Sequence, residues 1–328
     1  MPEMLSSASE FHSIEDREYN GILFVGDPHV SAFPPGHRLD DYPRTILGKL
    51  GFCLNLAKER GCLPIILGDL FHVPRNNPNF LLVDLIELFR ETRPWVLVGN
   101  HDKYEARLTR DVSLSVLNAA GVMRLIDQPG KVDSICVKGA KVLVGASPDW
   151  TPIPGEVVRE GHDFVIWVTH HDLVFPGYES GRYQLKEIPG VDLVVNGHIH
   201  TPKPSQRCGR TLWTNPGSIV RITRSHYTKA IKPAVALWTP EREDLEILEI
   251  PHNAFDEVFP PLEEMDDLQE EVLDESLFIK GLENLALRRT TEGVGLKAFL
   301  EANLNPDDPL DGIIWELYEE VIEDGKEE

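Results

Sequence analysis

No apolar run in this chain approaches the roughly 20 residues that a membrane-spanning helix needs, and its 328 residues hold only four cysteines. Cys53, Cys62, Cys136 and Cys208 stand apart, without a C-x-x-C pair or zinc-like spacing. That excludes a disulfide scaffold and a thiolate metal site, and it fits a reducing compartment. The stretch ahead of Gly21 lacks a basic start followed by an apolar segment, so no secretory signal is expected. A cytoplasmic protein without membrane contact is predicted, with work at the nucleoid compatible with that setting. With 41% hydrophobic and 26% charged residues the chain has enough apolar content for a core. That excludes a disordered protein.

Acidic residues are also missing where it matters. From Thr201 to Pro240 the chain has seven basic residues and no acidic one. The formal net charge of −22 resides in residues 241–328, which hold 28 acidic and 6 basic residues, so the preceding 240 are neutral. A whole-chain isoelectric point hides this division, and a nucleic-acid partner is not excluded by the total.

Periodicity organises the body. Strand-like runs at Gly21–Val25, Leu63–Leu67 and Trp95–Val98 alternate with helical patterns at Tyr42–Arg60 and Phe80–Arg90. This spacing predicts parallel pairing in a layered α/β fold. Beyond Val122 short strands predominate: Ser134–Val137, Lys141–Val144, Phe164–Val168, Leu193–Val195, Thr211–Thr214, Ala234–Trp238 and Leu245–Ile250. They should build a second sheet. The expected divisions are an N-terminal tail over 1–20, a core over 21–251 and an acidic extension over 262–328. Helical patterns in that extension run over Leu262–Leu287, Gly293–Asn303 and Ile313–Ile322.

Chemistry collects where the strands stop. Val25-Gly26 runs into Asp27-Pro28-His29, and Leu67 into Gly68-Asp69-Leu70-Phe71-His72. Val98 leads to Gly99-Asn100-His101-Asp102, Thr169 to His170-His171-Asp172, and Asn196 to Gly197-His198-Ile199-His200. Five strands thus deliver carboxylate, carboxamide or imidazole to the edge where open α/β sheets place their sites. A donor set of Asp, Asn and His without thiolate suits divalent manganese, iron, zinc or magnesium. Asp27, His29, Asp69, Asn100, His170, His198 and His200 are too many ligands for one ion, so two ions sharing Asp69 are expected. Two such metals about 3.5–4 Å apart clamp a phosphoryl group and acidify water for in-line attack. His101 is left to protonate a leaving oxygen, with Asp102 a candidate to orient its ring. Of the adjacent His170 and His171, the first is assigned as ligand because it sits at the strand end. Each dipeptide alone is weak; the ordered set at five strand ends is specific.

The blocks D-x-H, G-D, G-N-H-D, H and G-H-x-H resemble those of the calcineurin-like metallophosphoesterases, over about Gly21–Pro251. The resemblance implies a four-layer α/β/β/α sandwich. It assigns one metal to Asp27, His29, Asp69 and His200, and the other to Asp69, Asn100, His170 and His198. Gly-Asp-Leu-Phe-His, G-N-H-D and the segment Asn215-Pro216-Gly217-Ser218-Ile219-Val220-Arg221 are similar to the SbcD-type nuclease branch. That branch implies an exonuclease with endonuclease activity in DNA repair or recombination, dependent on manganese and working with an SMC-like ATPase. It also implies a positioning role for His72, which otherwise reads as a loop residue. Lys203, Arg207, Arg210, Arg221 and Arg224, just beyond the last ligands, are candidate DNA contacts. The stretch from Pro261 to Glu328 is shorter than a cap plus a coiled-coil grip require; its acidic helices are read as an ATPase-docking segment, a reduced cap or a homodimer element. A small-molecule or nucleotide phosphodiesterase, or a phosphatase, is the rival on the same fold, and a non-catalytic scaffold is disfavoured by the intact ligand set.

Overall fold

The computed structural model describes residues 18–105 and 107–261. Two sheets face each other. The six-stranded one is built from β2 (Gly21–Val25), β3 (Cys62–Ile66), β4 (Trp95–Leu97), β5 (Arg124–Ile126), β12 (Ala234–Trp238) and β13 (Glu246–Glu249), in the order β13-β12-β2-β3-β4-β5. The seven-stranded one comprises β1 (Glu18–Tyr19), β6 (Gly130–Val137), β7 (Ala140–Ser147), β8 (Phe164–Thr169), β9 (Leu193–Asn196), β10 (Lys203–Cys208) and β11 (Thr211–Asn215), in the order β1-β6-β7-β8-β9-β11-β10. The centre of each sheet is parallel: β2 to β5 in one, β7, β8, β9 and β11 in the other.

Strand alternation assigns side chains to layers. Ile22, Phe24, Ile65, Trp95 and Leu97 point between the sheets, where they meet Val142, Val144, Ile166, Val168 and Val195. Leu23, Val25, Ile66 and Val96 point the other way, under helices α1 (Tyr42–Arg60), α2 (Asn79–Phe89) and α3 (Ser113–Ala119). Because β2 and β3 are buried on both faces, they read as continuous apolar runs. Helix α1 presents Tyr42, Ile46, Leu50, Cys53, Leu54 and Ala57 on one face. Its start is set by the Asp41 carboxylate, which accepts from the Arg44 amide, and by Pro43 in the first turn. Its end is set by Gly61 in the left-handed region, at φ 65°, where glycine meets no steric cost.

The mixed α/β sandwich and the bounds of α1 match the sequence reading, but β12 and β13, expected in the second sheet, extend the first, β12 pairing with β2 and β13 with β12. Among the described residues, no helix covers the outer face of the seven-stranded sheet. The outer face of the seven-stranded sheet (Leu143, Val165, Trp167, Val194, Trp213) is covered by Leu173, Phe175, Ile188 and Val191 from irregular chain between strands. Four large apolar residues within segment 170–192 do the burying that a helix face would otherwise do, without helical spacing. Glu18–Tyr19 pairs in parallel with β6, just ahead of the first strand expected from the sequence. Two short helices complete the described part, α4 (His226–Lys229) and α5 (Phe255–Val258). The helical patterns beyond Leu262 lie outside the described residues. No helix among the described residues is long and apolar enough to cross a membrane.

Candidate metal centre

Parallel strands β2, β3, β4, β8 and β9 end at one edge of the sandwich, and their terminal loops bring the donors together. Carboxylate and imidazole atoms of Asp27, His29, Asp69 and His200 all lie within 4.8 Å of one another, as do those of Asp69, His170 and His198. Asp69 belongs to both groups. The Asn100 carboxamide oxygen stands 3.1 Å from His170 Nε2 and 3.0 Å from His198 Nδ1, which adds it to the second group. The seven donors named from the sequence therefore fall into two sets around one shared carboxylate.

Local backbone geometry is bent to achieve this. Asp27, His29, Asp69 and His198 all have positive φ, at 37°, 48°, 49° and 70°. That conformation is strained for a non-glycine residue, and the surroundings must hold it there. Two glycines give the room. A Cβ on Gly99 would sit 2.1 Å from Asp69 Oδ1, and one on Gly68, at φ 107°, would sit 2.3 Å from His170 Nδ1.

Hydrogen bonds from the protein orient these donors toward one another. Asp27 Oδ1 accepts from the His198 amide at 2.8 Å, while its buried Oδ2 has no partner among the described residues. Asp69 Oδ1 accepts from the His101 amide at 2.9 Å, and Oδ2 stands 3.3 Å from His170 Nε2 and 3.7 Å from His29 Nε2. His170 Nδ1 lies 2.8 Å from the Leu67 carbonyl and donates there, so its Nε2 faces Asp69 and Asn100. Such backbone pairing is what fixes a metal-binding imidazole tautomer. His29 Nε2 and His200 Nε2 are 2.9 Å apart, two ring nitrogens aimed at the same spot.

Electrostatics points the same way. Burial pushes the Asp27 carboxyl up to about 7, against the pull of His170. Burial also holds His29 and His198 well below the usual imidazole range and brings His200 and His72 to about 4, so these rings stay neutral. His170 differs: burial lowers it, but Asp69, the hydrogen bond to it and Asp27 outweigh that and raise it to about 10. For Asp69 burial is overcome by His170 and His101, and its carboxyl lies well below the ordinary range. Neutral rings at His29, His198 and His200 beside the ionised Asp69 favour a divalent cation there. The orphaned Asp27 oxygen and the paired approach of His29 Nε2 and His200 Nε2 show that this donor set fits such ions.

Around this cluster the structure sorts the remaining candidates. His101 donates from Nδ1 to the His72 carbonyl at 2.8 Å, and its ring stands edge-on to His29 at 4.9 Å and stacked on His72 at 5.5 Å. His72 therefore belongs to the site, through both its ring and its carbonyl. Asp102 does not orient the His101 ring. Its carboxylate accepts from the Phe71 amide at 3.1 Å and the Gly99 amide at 3.0 Å, tying the G-D-L-F and G-N-H-D loops together. A neighbour in a tight turn points away from the preceding side chain, which sequence adjacency conceals. Burial and Asp69 push the Asp102 carboxyl up to about 7. His171 turns away from the cluster, its Nε2 on the Thr151 carbonyl at 2.8 Å and its ring against Tyr183, which leaves His170 at the site.

The basic candidates disperse. Lys203 is buried, its ammonium 3.2 Å from the Gly177 carbonyl and between the rings of Tyr178 and Tyr227. Arg221 is buried and donates to the carbonyls of Ile231 and Asn253. Arg224 donates to the Pro261 carbonyl. Arg207 and Arg210 are exposed, but they flank the β10–β11 turn, where Cys208 pairs with Thr211. That turn lies at the start of β11, which runs parallel to β9, so it is at the edge away from the ligands. Four residues of strand, roughly 13 Å, separate it from Asn215 at the ligand edge. Five residues close in sequence therefore form no shared phosphate-facing surface.

Residues the sequence reading did not single out brace the ligands. The Tyr42 hydroxyl donates to the His29 carbonyl at 2.8 Å, and Ser218 Oγ donates to the Asp27 carbonyl at 2.8 Å. Asn196 accepts from Thr169 and the His171 amide and donates to the His171 carbonyl and Asn215, joining the ends of β8, β9 and β11. Only Ser218 had a signal, its place in the P-G-S segment; Tyr42 stood only as the first residue of a helical pattern.

Comparison with known proteins agrees with this geometry. The sequence profile described as calcineurin-like phosphoesterase matches residues 21–202. A curated protein of Methanocaldococcus jannaschii, described as a probable metallophosphoesterase, is 35% identical over 89 residues, covering 26% of this chain and 45% of that protein. The chain thus spans less than half the length of this curated relative. Among solved structures, a 5′-nucleotidase precursor from Thermus thermophilus gives a TM-score of 0.41 at 12% identity, over 70% of this chain and 54% of the other. A hypothetical protein from the same organism gives 0.42 at 17% identity, over 70% of this chain and 100% of the other.

Proposed function

The chain belongs to the calcineurin-like phosphoesterases, and from that premise we propose that it is a two-metal phosphodiesterase that hydrolyses DNA. The observation that carries the two-metal reading is the shared carboxylate: Asp69 stands in both donor clusters. Asp27, His29, Asp69 and His200 would hold one divalent ion; Asp69, Asn100, His170 and His198 would hold the second. Manganese is the proposed metal, since hard carboxylate and carboxamide oxygens accompany borderline imidazoles. When bound, the pair neutralises phosphate oxygens and acidifies the attacking water. His101 keeps Nδ1–H on the His72 carbonyl, so Nε2 is the nitrogen that gives a proton to the leaving oxygen. Its reach is fixed by contact with His72 and His29 on either side.

The DNA reading rests on the G-D-L-F-H, G-N-H-D and P-G-S segments and their likeness to the SbcD-type nucleases. An SMC-like ATPase bound through the acidic C-terminal region, or a homodimer formed through it, belongs to the same proposal; that region lies outside the described residues. A second reading, a small phosphodiester as substrate, is favoured by one observation: the basic candidates do not gather at the site edge.

The test is hydrolysis of end-labelled duplex and single-stranded DNA, beside bis-para-nitrophenyl phosphate, with manganese added. DNA cleavage that disappears in His101→Ala is expected. Cleavage of the small diester by the same preparation with DNA untouched, with or without an added ATPase partner, would replace the nuclease reading with the second one.

A further inference from the structure

Two exposed aromatic rings adjoin the metal centre, and each lies against a cation. Tyr104, three residues beyond His101, is 65% exposed. The guanidinium of Arg75, three residues beyond His72, lies over its ring at 3.9 Å from the centroid. Trp150 is 37% exposed, with the Arg182 guanidinium over its ring at 5.3 Å. Both cations have carboxylate partners: Arg75 pairs with Asp111, and Arg182 stands 3.6 Å from Asp172. They therefore brace the rings more than they offer charge to a phosphate.

The ligand loops fix where these rings sit. Asp149 bonds through its amide to the Val98 carbonyl, at the strand end that carries Asn100, and its carboxylate is 2.8 Å from the buried Lys103 ammonium. On the other side of Trp150, the Thr151 carbonyl lies 2.8 Å from Nε2 of His171, the neighbour of His170. Trp150 is thus clamped between two ligand-bearing strand ends, and the Lys103–Asp149 pair ties its loop to that of Tyr104. Packing does not explain this arrangement. Trp150 is held at φ 65°, a conformation that is costly for a bulky residue and free for glycine. Tyr104 keeps most of its surface in water, so its burial contributes little to folding. A guanidinium covers one side of each ring, and the exposed remainder is a π-surface flanked by charge. That surface suits a planar nucleobase.

We propose that Tyr104 and Trp150 form a base-stacking subsite at the rim of the metal centre, which takes unpaired nucleobases of the strand whose phosphate the metals hold. The proposal rests on the nucleic-acid reading above and names how that substrate is gripped. Stacking tolerates any sequence, since every base has a π-face. It also needs no basic patch, in keeping with the scattered cations after His200.

Fluorescence anisotropy tests this with a short labelled oligothymidylate and an abasic oligomer of the same length and charge. The protein is full-length His101→Ala loaded with manganese, so that the strands survive. Oligothymidylate should bind about tenfold or more tighter than the abasic strand. Adding Tyr104→Ala or Trp150→Ala should narrow that ratio severalfold, whereas Tyr104→Phe and Trp150→Phe should keep it. Equal affinity for the two strands, binding of neither, or a ratio unmoved by either alanine substitution would overturn the subsite. Cleavage is read separately in protein with His101 intact. Base-dependent binding without DNA hydrolysis would overturn the nuclease reading and not the subsite; hydrolysis with base-independent binding would do the reverse.

Discussion

The strand-end blocks and the basic stretch after His200 are equally conspicuous in the sequence, but the fold converges one and scatters the other. Parallel strands all finish at one edge, so residues that follow each strand must meet, however far apart they lie in the chain. The basic stretch instead crosses a hairpin. Lys203 sits at the site end of β10, Arg207 and Arg210 lie at the opposite end, and Arg221 returns to pack inside. Position relative to strand polarity therefore carries functional information, whereas proximity in sequence does not.

Three sets of variants would break or sharpen this contrast. Largest should be the loss of turnover in His101→Ala, about 10²–10⁴-fold, with bound metal retained. Unchanged turnover would remove its role at the leaving oxygen. Next is Asp102→Asn, which keeps shape but weakens acceptance from two buried amides; a stability loss of about 1–3 kcal/mol is expected in chemical denaturation. A selective fall in turnover without loss of stability would instead return Asp102 to the orienting role. Smallest is the double variant Arg207→Ala and Arg210→Ala, for which DNA cleavage should stay within about twofold and its salt dependence should be unchanged. A shallower salt slope would show that the far turn contacts phosphate.

Much of the fold was legible because its signals are local. The apolar runs of β2 and β3 and the capped, one-faced α1 announce themselves, and glycine precedes the donors at four of the five strand ends. Strands β1 and β5 escaped notice because they are very short, and β10 because Lys203–Cys208 is a polar edge strand with no buried alternation. The loop-built outer layer was hidden because Leu173, Phe175, Ile188 and Val191 bury their side chains without any period. In the site, which residues converge followed from residue type and strand polarity, and His170 was separated from His171 by the strand end. The tasks of Asp102 and Tyr42 were not readable, since each depends on a backbone group that is distant in sequence or turned by a positive φ.

The claim that one carboxylate unites two cations is tested most directly by counting metal. Wild-type protein reconstituted with manganese should retain two ions per chain after desalting, measured by elemental mass spectrometry. Asp69→Asn should retain neither with comparable affinity, because both donor sets lose their shared anion. Two tightly held ions in that variant would contradict the shared-ligand centre, and with it the account of how the five strand ends act together.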